Sequence, residues 1–237
     1  MNLDFLAPVA PAADDAQSPI ARSPMEASTE HEGARFELRD GFNVAVDYRA
    51  GAGVAATESA AWADTSHLRK LELQGSSDAI DTAAGTALAF GTATRQDDAW
   101  WCRLTATRAL VIGGSPSTRE RCSAADGINV VDVTTSFAAI TIVGPLAREV
   151  FARFSAIDLR PQVTPVAALR PGSAARQPGI VICEADDRYL YLFGWAIGEY
   201  VWSVVSDAGH HLGGRPIGID ALAELSGPAA AQEASRA

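Results

Sequence analysis

The stretch Ala138–Phe154, AAITIVGPLAREVFARF, joins a strand to a helix. Ala138–Val143 is a short apolar run of the length and composition of a buried strand. Gly144-Pro145 breaks it, and Leu146–Phe154 continues as a helix behind a proline, whose missing N–H is tolerated at a helix start.

Working outward, strand signals dominate. Arg35–Tyr48 (RFELRDGFNVAVDY) alternates apolar and polar residues on both sides of Asp40-Gly41, which predicts a hairpin. Leu68–Leu73 (LRKLEL) alternates and reads as a strand. Trp100–Arg103 and Leu110–Ile112 form a strand pair around a turn at Thr105–Thr107, and Asn129–Asp132 adds another strand. Gly179–Glu184 and Tyr189–Phe193 make a hairpin about Asp186-Asp187. Helices are expected over Gly51–Ala61, Asp78–Leu88 and Ile197–Ala208, the last ended by Gly209. This order predicts an α+β fold of antiparallel sheets with helices packed on one face, not a doubly wound one.

The chain has 237 residues, 48% apolar and 20% charged, enough for one large domain with its own core. The expected organisation is an acidic, disordered arm over residues 1–21, a folded domain over 22–226 and a disordered tail over 227–237. The arm region up to residue 33 holds six acids (Asp4, Asp14, Asp15, Glu26, Glu30 and Glu32) against Arg22 alone. Overall the net charge is −10, so phosphate backbones meet no electrostatic footprint here and nucleic acid is not an expected partner. Of the 19 basic residues only Lys70 is a lysine, which reads as coding bias rather than chemistry. Cys102, Cys122 and Cys183 are odd in number and widely spaced, pointing to neither a zinc site nor a disulfide framework and to a reducing compartment. With no basic n-region at the start and no apolar run of about 20 residues, a soluble cytoplasmic protein without membrane contact is expected.

Few residues carry a chemical signature. Asp97-Asp98 precede Ala99-Trp100-Trp101, where a carboxylate partly shielded by an aromatic strand can hold a cationic amine or take its proton. Trp100 and Trp101 are adjacent, so on a strand they face opposite sides. His210-His211, just past a helix, read as solvated histidines rather than metal ligands. Asp64-Thr65-Ser66-His67 reads as an Asx-type turn. No metal site is expected.

Several separated segments together resemble one family. Gly33-Ala34-Arg35-Phe36, Gly41-Phe42 and Val46-Asp47-Tyr48 are similar to the opening of the glycine cleavage T protein (aminomethyltransferase). So are Trp62–Leu68 with Leu73-Gln74-Gly75, and Ala138–Ala147 with its Gly144-Pro145. Val201-Trp202, Asp207-Ala208-Gly209 and Pro216–Asp220 continue the match, so the resemblance spans residues 28–227. It implies the N-terminal half of the aminomethyltransferase folate-binding fold, without that family's C-terminal barrel domain. It implies a tetrahydrofolate site in which Asp97 matches the catalytic carboxylate, and Trp100, Asp186 and Tyr189 line the folate. The departures are specific. The Asn and glycine pair ahead of Asp97-Asp98 are missing, Cys183–Phe193 replaces the folate strand, and Ala223 and Leu225 stand at an Arg and a Glu position. Losing about three buried polar partners weakens binding by ~3–9 kcal/mol. A member altered in this way resembles the small gamma subunit of heterotetrameric sarcosine oxidase. The resemblance therefore implies an accessory subunit of a folate-linked amine oxidase, with flavin supplied only by partner subunits. The alternatives are a stand-alone tetrahydrofolate-dependent aminomethyltransferase and a non-catalytic interaction protein of the same fold.

Overall fold

The computed structural model describes residues 19–48 and 58–225. Most of the helix expected over Gly51–Ala61, residues 1–18 of the arm, and the tail lie outside these residues. Strand β1 (Ala21–Arg22), helix α1 (Glu26–His31), β2 (Ala34–Arg39) and β3 (Phe42–Tyr48) come first. The Asp40-Gly41 hairpin forms as predicted, both residues taking positive φ (50° and 80°), as the twist of a two-residue turn requires. β1 lies parallel to β3, so Ala21, the last residue of the expected arm, and Arg22, the first of the expected domain, are part of a sheet of order β1-β3-β2.

Next come β4 (Ala61–Asp64), β5 (Lys70–Gly75), helix α2 (Ser77–Ala84), β6 (Ala93–Gln96), β7 (Ala99–Thr105) and β8 (Arg108–Gly113). Helix α3 (Pro116–Ala124), β9 (Ile128–Asp132), β10 (Phe137–Val143) and helix α4 (Ala147–Ala152) follow. The rest is β11 (Leu169–Ala174), β12 (Gln177–Ala185), β13 (Arg188–Gly194), helix α5 (Gly198–His210), β14 (Arg215–Pro216) and helix α6 (Ile219–Glu224). They build a six-stranded sheet, β11-β12-β13-β10-β4-β14, and a five-stranded one, β6-β7-β8-β5-β9. Neighbours run antiparallel except for the two-residue pairs β1–β3 and β14–β4. Among the described residues there is no closed barrel.

The period-2 alternation sorts side chains into layers. On β13, Tyr189, Tyr191 and Phe193 meet α4 and α5, while Leu190 and Leu192 face the five-stranded sheet. On β7 and β8, Trp101, Ala109 and Val111 meet α2 and α3, while Trp100, Cys102, Leu110 and Ile112 face the six-stranded sheet. The order of layers is therefore helices, sheet, sheet, helices. Helices cover the outer face of each of the two large sheets, because only the facing sheet surfaces are closed by one another. Among the described residues no helix is long and apolar enough to cross a membrane.

Candidate functional site

The strands that follow the β6–β7 turn and precede the β12–β13 turn come from different sheets and meet through Trp100 and Glu184. Asp97 and Asp98 form a two-residue loop between the paired Gln96 and Ala99. Asp97 sits at φ +54°, a left-handed conformation that Asp tolerates better than most side chains. Its Oδ2 accepts a 2.8 Å hydrogen bond from Arg121 of α3, and its side chain is half exposed. Asp98 is held by the Thr118 hydroxyl at 3.1 Å. Both carboxylates thus fasten the turn to α3.

Trp100 is only 8% exposed and lies between the sheets. Its indole N–H donates to Glu184 Oε1 at 2.7 Å, and the Arg95 guanidinium sits over the ring at 5.2 Å. Glu184 follows Ile182 on the face of β12 that meets the five-stranded sheet, at a β-bulge between Cys183 and Ala185. Arg188, four residues on, donates to its other oxygen at 2.9 Å and to the Leu222 carbonyl of α6. Glu184 and Arg188 carry no sequence motif, and a period-2 pattern does not say which residue of the facing sheet Glu184 meets.

Asp186 occupies the β12–β13 turn, where its backbone carbonyl accepts the Tyr189 hydroxyl at 3.1 Å. Tyr189 is buried on the helix side of its sheet, edge-on to Phe151 at 5.7 Å. Burial raises its phenol to about 12. Trp100 faces the other way, so the two rings do not form one stacking slot. The structure joins the strands beside the Asp97 and Asp186 turns through Trp100 and Glu184, which commits the Trp100 edge, and it turns Tyr189 away. A cleft of about 340 Å³ lies elsewhere, beside α4, with Arg148, Phe151, Ser155, Ile157, Leu159 and Arg160 among its walls.

The Asp64–His67 turn is more than a local cap. Asp64 Oδ1 accepts the Ser66 N–H at 2.9 Å, as an Asx turn does. Ser66 Oγ accepts the Ala139 N–H at 3.1 Å, and the Ser66 carbonyl accepts the Lys70 ammonium at 2.7 Å. Lys70 is completely enclosed, and burial pushes it down to about 7 against the pull of Asp64 and Asp132. Burial likewise holds the Asp64 carboxyl above its usual range and pushes His67 down to about 4. This amine, the one lysine of the sequence, pins the 64–70 loop. The alternation of LRKLEL sets Lys70 on the face opposite Leu71 and Leu73, and both faces are buried here, which the alternation by itself does not show. His210 stacks edge-on against Trp62 at 5.1 Å, and His211 Nδ1 lies 2.7 Å from the Asp207 carbonyl. Among the described residues no group of three or more His, Cys, Asp or Glu is placed to hold a metal ion.

A two-sheet sandwich with outer helices of this topology is an aminomethyltransferase-like fold. In solved structures the chain is similar to a chain of the heterotetrameric sarcosine oxidase from Corynebacterium sp. U-96 in complex with pyrrole 2-carboxylate. The TM-score is 0.63 at 16% identity, covering 81% of this chain and 95% of that one. It is also similar to the glycine cleavage system aminomethyltransferase T from Bartonella henselae, with a TM-score of 0.67 and 16% identity over 85% of this chain. There it spans 60% of the other protein's length. No family model and no curated protein matches the sequence.

Proposed function

We propose that this chain is an accessory, gamma-type subunit of a sarcosine-oxidase-like, folate-linked amine oxidase, acting in assembly rather than turnover. The observation that carries the reading is the extent of the match: the chain covers 95% of a subunit of a heterotetrameric oxidase. The candidate site supports it. Trp100 is sealed by Glu184 and Arg95, and Asp97 is tied to Arg121, so the groups a pterin or an amine would need are engaged with one another. In this reading the flavin belongs to partner subunits, any tetrahydrofolate is held chiefly by them, and the complex acts in the reducing cytoplasm, where three buried free thiols persist.

Two measurements test it. Co-expression with flavin-carrying subunits from the same genome should give a stable complex that oxidises an N-methyl amine, and the lone chain should show no turnover. Calorimetry of the lone chain with tetrahydrofolate should show no binding at millimolar ligand. Micromolar binding, or one-carbon transfer by the chain alone, would instead establish the aminomethyltransferase-type alternative, with Asp97 as its carboxylate.

A further inference from the structure

Residues 82–94 (TAAGTALAFGTAT) and 161–169 (PQVTPVAAL) contain no charged side chain, in a chain where one residue in five is charged. These two segments lie against each other on the surface. Ala93 N–H donates to the Ala167 carbonyl at 2.7 Å, and Leu169 N–H to the Gly91 carbonyl at 2.8 Å. The Arg170 guanidinium stitches them further, donating to Gly91 at 3.0 Å and to Val163 at 2.6 Å. From this platform Phe90 stands 63% exposed, Val166 48% and Val163 38%, with Ala87, Ala89, Pro161 and Pro165 exposed around them. Single exposed apolar residues are ordinary, whereas a contiguous group on two interlocked loops marks an interaction surface.

The charge around the platform selects the occupant. Arg95 and Arg170 border it, and neither makes an ion pair among the described residues; the nearby Arg103 and Arg160 are neutralised internally by Asp81 and Asp158. A chain of net charge −10 therefore presents a locally positive rim here. A symmetric contact with a second copy would bring identical patches together and set Arg95 and Arg170 near their own counterparts. An anionic lipid surface would attract the rim but repel the strongly acidic remainder of the chain. We infer that the Phe90–Val163–Val166 platform docks an apolar socket rimmed by Asp and Glu on a different protein, the partner subunit of the proposed oxidase. The inference rests on the accessory-subunit reading and locates its interface.

The experiment measures affinity of the full chain for its co-expressed flavin-carrying subunits, with wild type, Phe90→Asp/Val166→Asp, Arg95→Glu and, as a control on the first sheet, Leu38→Asp. Leu38 is 60% exposed, so the control places an Asp on an equally open apolar site, one of the two charges that the double variant adds. Circular dichroism should be unchanged in all four. The double variant should bind about 100-fold more weakly or worse, the size of effect a central apolar anchor carries. Arg95→Glu should weaken binding about tenfold at low salt and much less in high salt, where screening removes rim electrostatics. Leu38→Asp should bind within about twofold of wild type. Wild-type binding that the double variant retains would overturn the platform while leaving the subunit role standing. Failure of the wild type to bind any flavin-carrying subunit would remove both. A photo-crosslinker at position 90 that joins two copies of this chain, or binding to phosphatidylserine vesicles that Phe90→Asp abolishes, would also overturn the assignment.

Discussion

Lys70 is the only lysine in the sequence, and the fold encloses it completely, hydrogen-bonded to the Ser66 carbonyl. An ordinary lysine titrates near 10.4, whereas here burial holds the value near 7. Between those two values the unfolded chain keeps a proton that the folded chain has lost, so this group makes stability rise with pH from about 7 to about 10. Below pH 7 both states carry the proton and the contribution is flat. Lys70→Met should remove the rise and leave stability at pH 7 equal to wild type or higher, because an apolar chain of similar length needs no buried charge. Urea midpoints at pH 6.5 and 9 check this. The buried thiols of Cys102, Cys122 and Cys183 titrate in the opposite sense, and they cancel in the difference between wild type and variant. Asp97 is the contrasting residue: half exposed and paired with Arg121 in a tight turn. Asn tolerates the same positive φ, so Asp97→Asn should shift stability by under ~0.5 kcal/mol. Turnover of the reconstituted oxidase should change by less than about twofold; a loss of about a hundredfold would restore Asp97 as a proton acceptor.

At the level of elements, the structure moves one boundary for a steric reason. Gly209 reads as a helix terminator, yet α5 runs on to His210. A Cβ at Gly209 would lie 2.2 Å from the Trp62 ring, so the glycine is there for close approach of helix and sheet and not to end the helix. Gly209→Ala gains up to about 1 kcal/mol of helix propensity but must displace a fully buried indole. The expected net is a loss of about 1–3 kcal/mol in chemical denaturation, which an ordinary helical glycine would not show. β11 went unread for other reasons. It carries Pro171, tolerated because β11 is an edge strand, and its hairpin turn uses Ala175-Arg176 at φ 51° and 58° rather than the Asn-Gly that announces such turns.

On the scale of the whole molecule, the sheet-to-sheet layer makes the chain one cooperative unit, and Trp100 is its polar fastening. Its N–H meets Glu184 across the layer, and Glu184 is held by Arg188, which reaches α6. Trp100→Phe keeps most of the bulk and loses the hydrogen bond, for an expected cost of about 1–2 kcal/mol. Trp100→Ala opens a cavity between the sheets and should cost about 3–5 kcal/mol. Both should keep a single transition when fluorescence and circular dichroism are compared, because the two cores share this layer; separate transitions would mean that the sheets melt independently.

The local pattern by itself determined the two-residue turn at Asp40-Gly41, the alternation that sends Trp100 and Trp101 to opposite faces, the strand–helix junction at Gly144-Pro145 and the α+β class. Each depends on residues within a few positions of one another, where backbone sterics and side-chain period act directly. The partners of the candidate site were decided only in three dimensions. Trp100 and Glu184 are 84 residues apart in sequence, and their meeting depends on which sheet faces which. The same holds for the uncharged segments 82–94 and 161–169, whose meaning lies in being neighbours on the surface. Burial of Lys70 likewise follows from the second sheet closing over β5, since a strand's alternation says which residues share a face and packing alone says whether that face meets water.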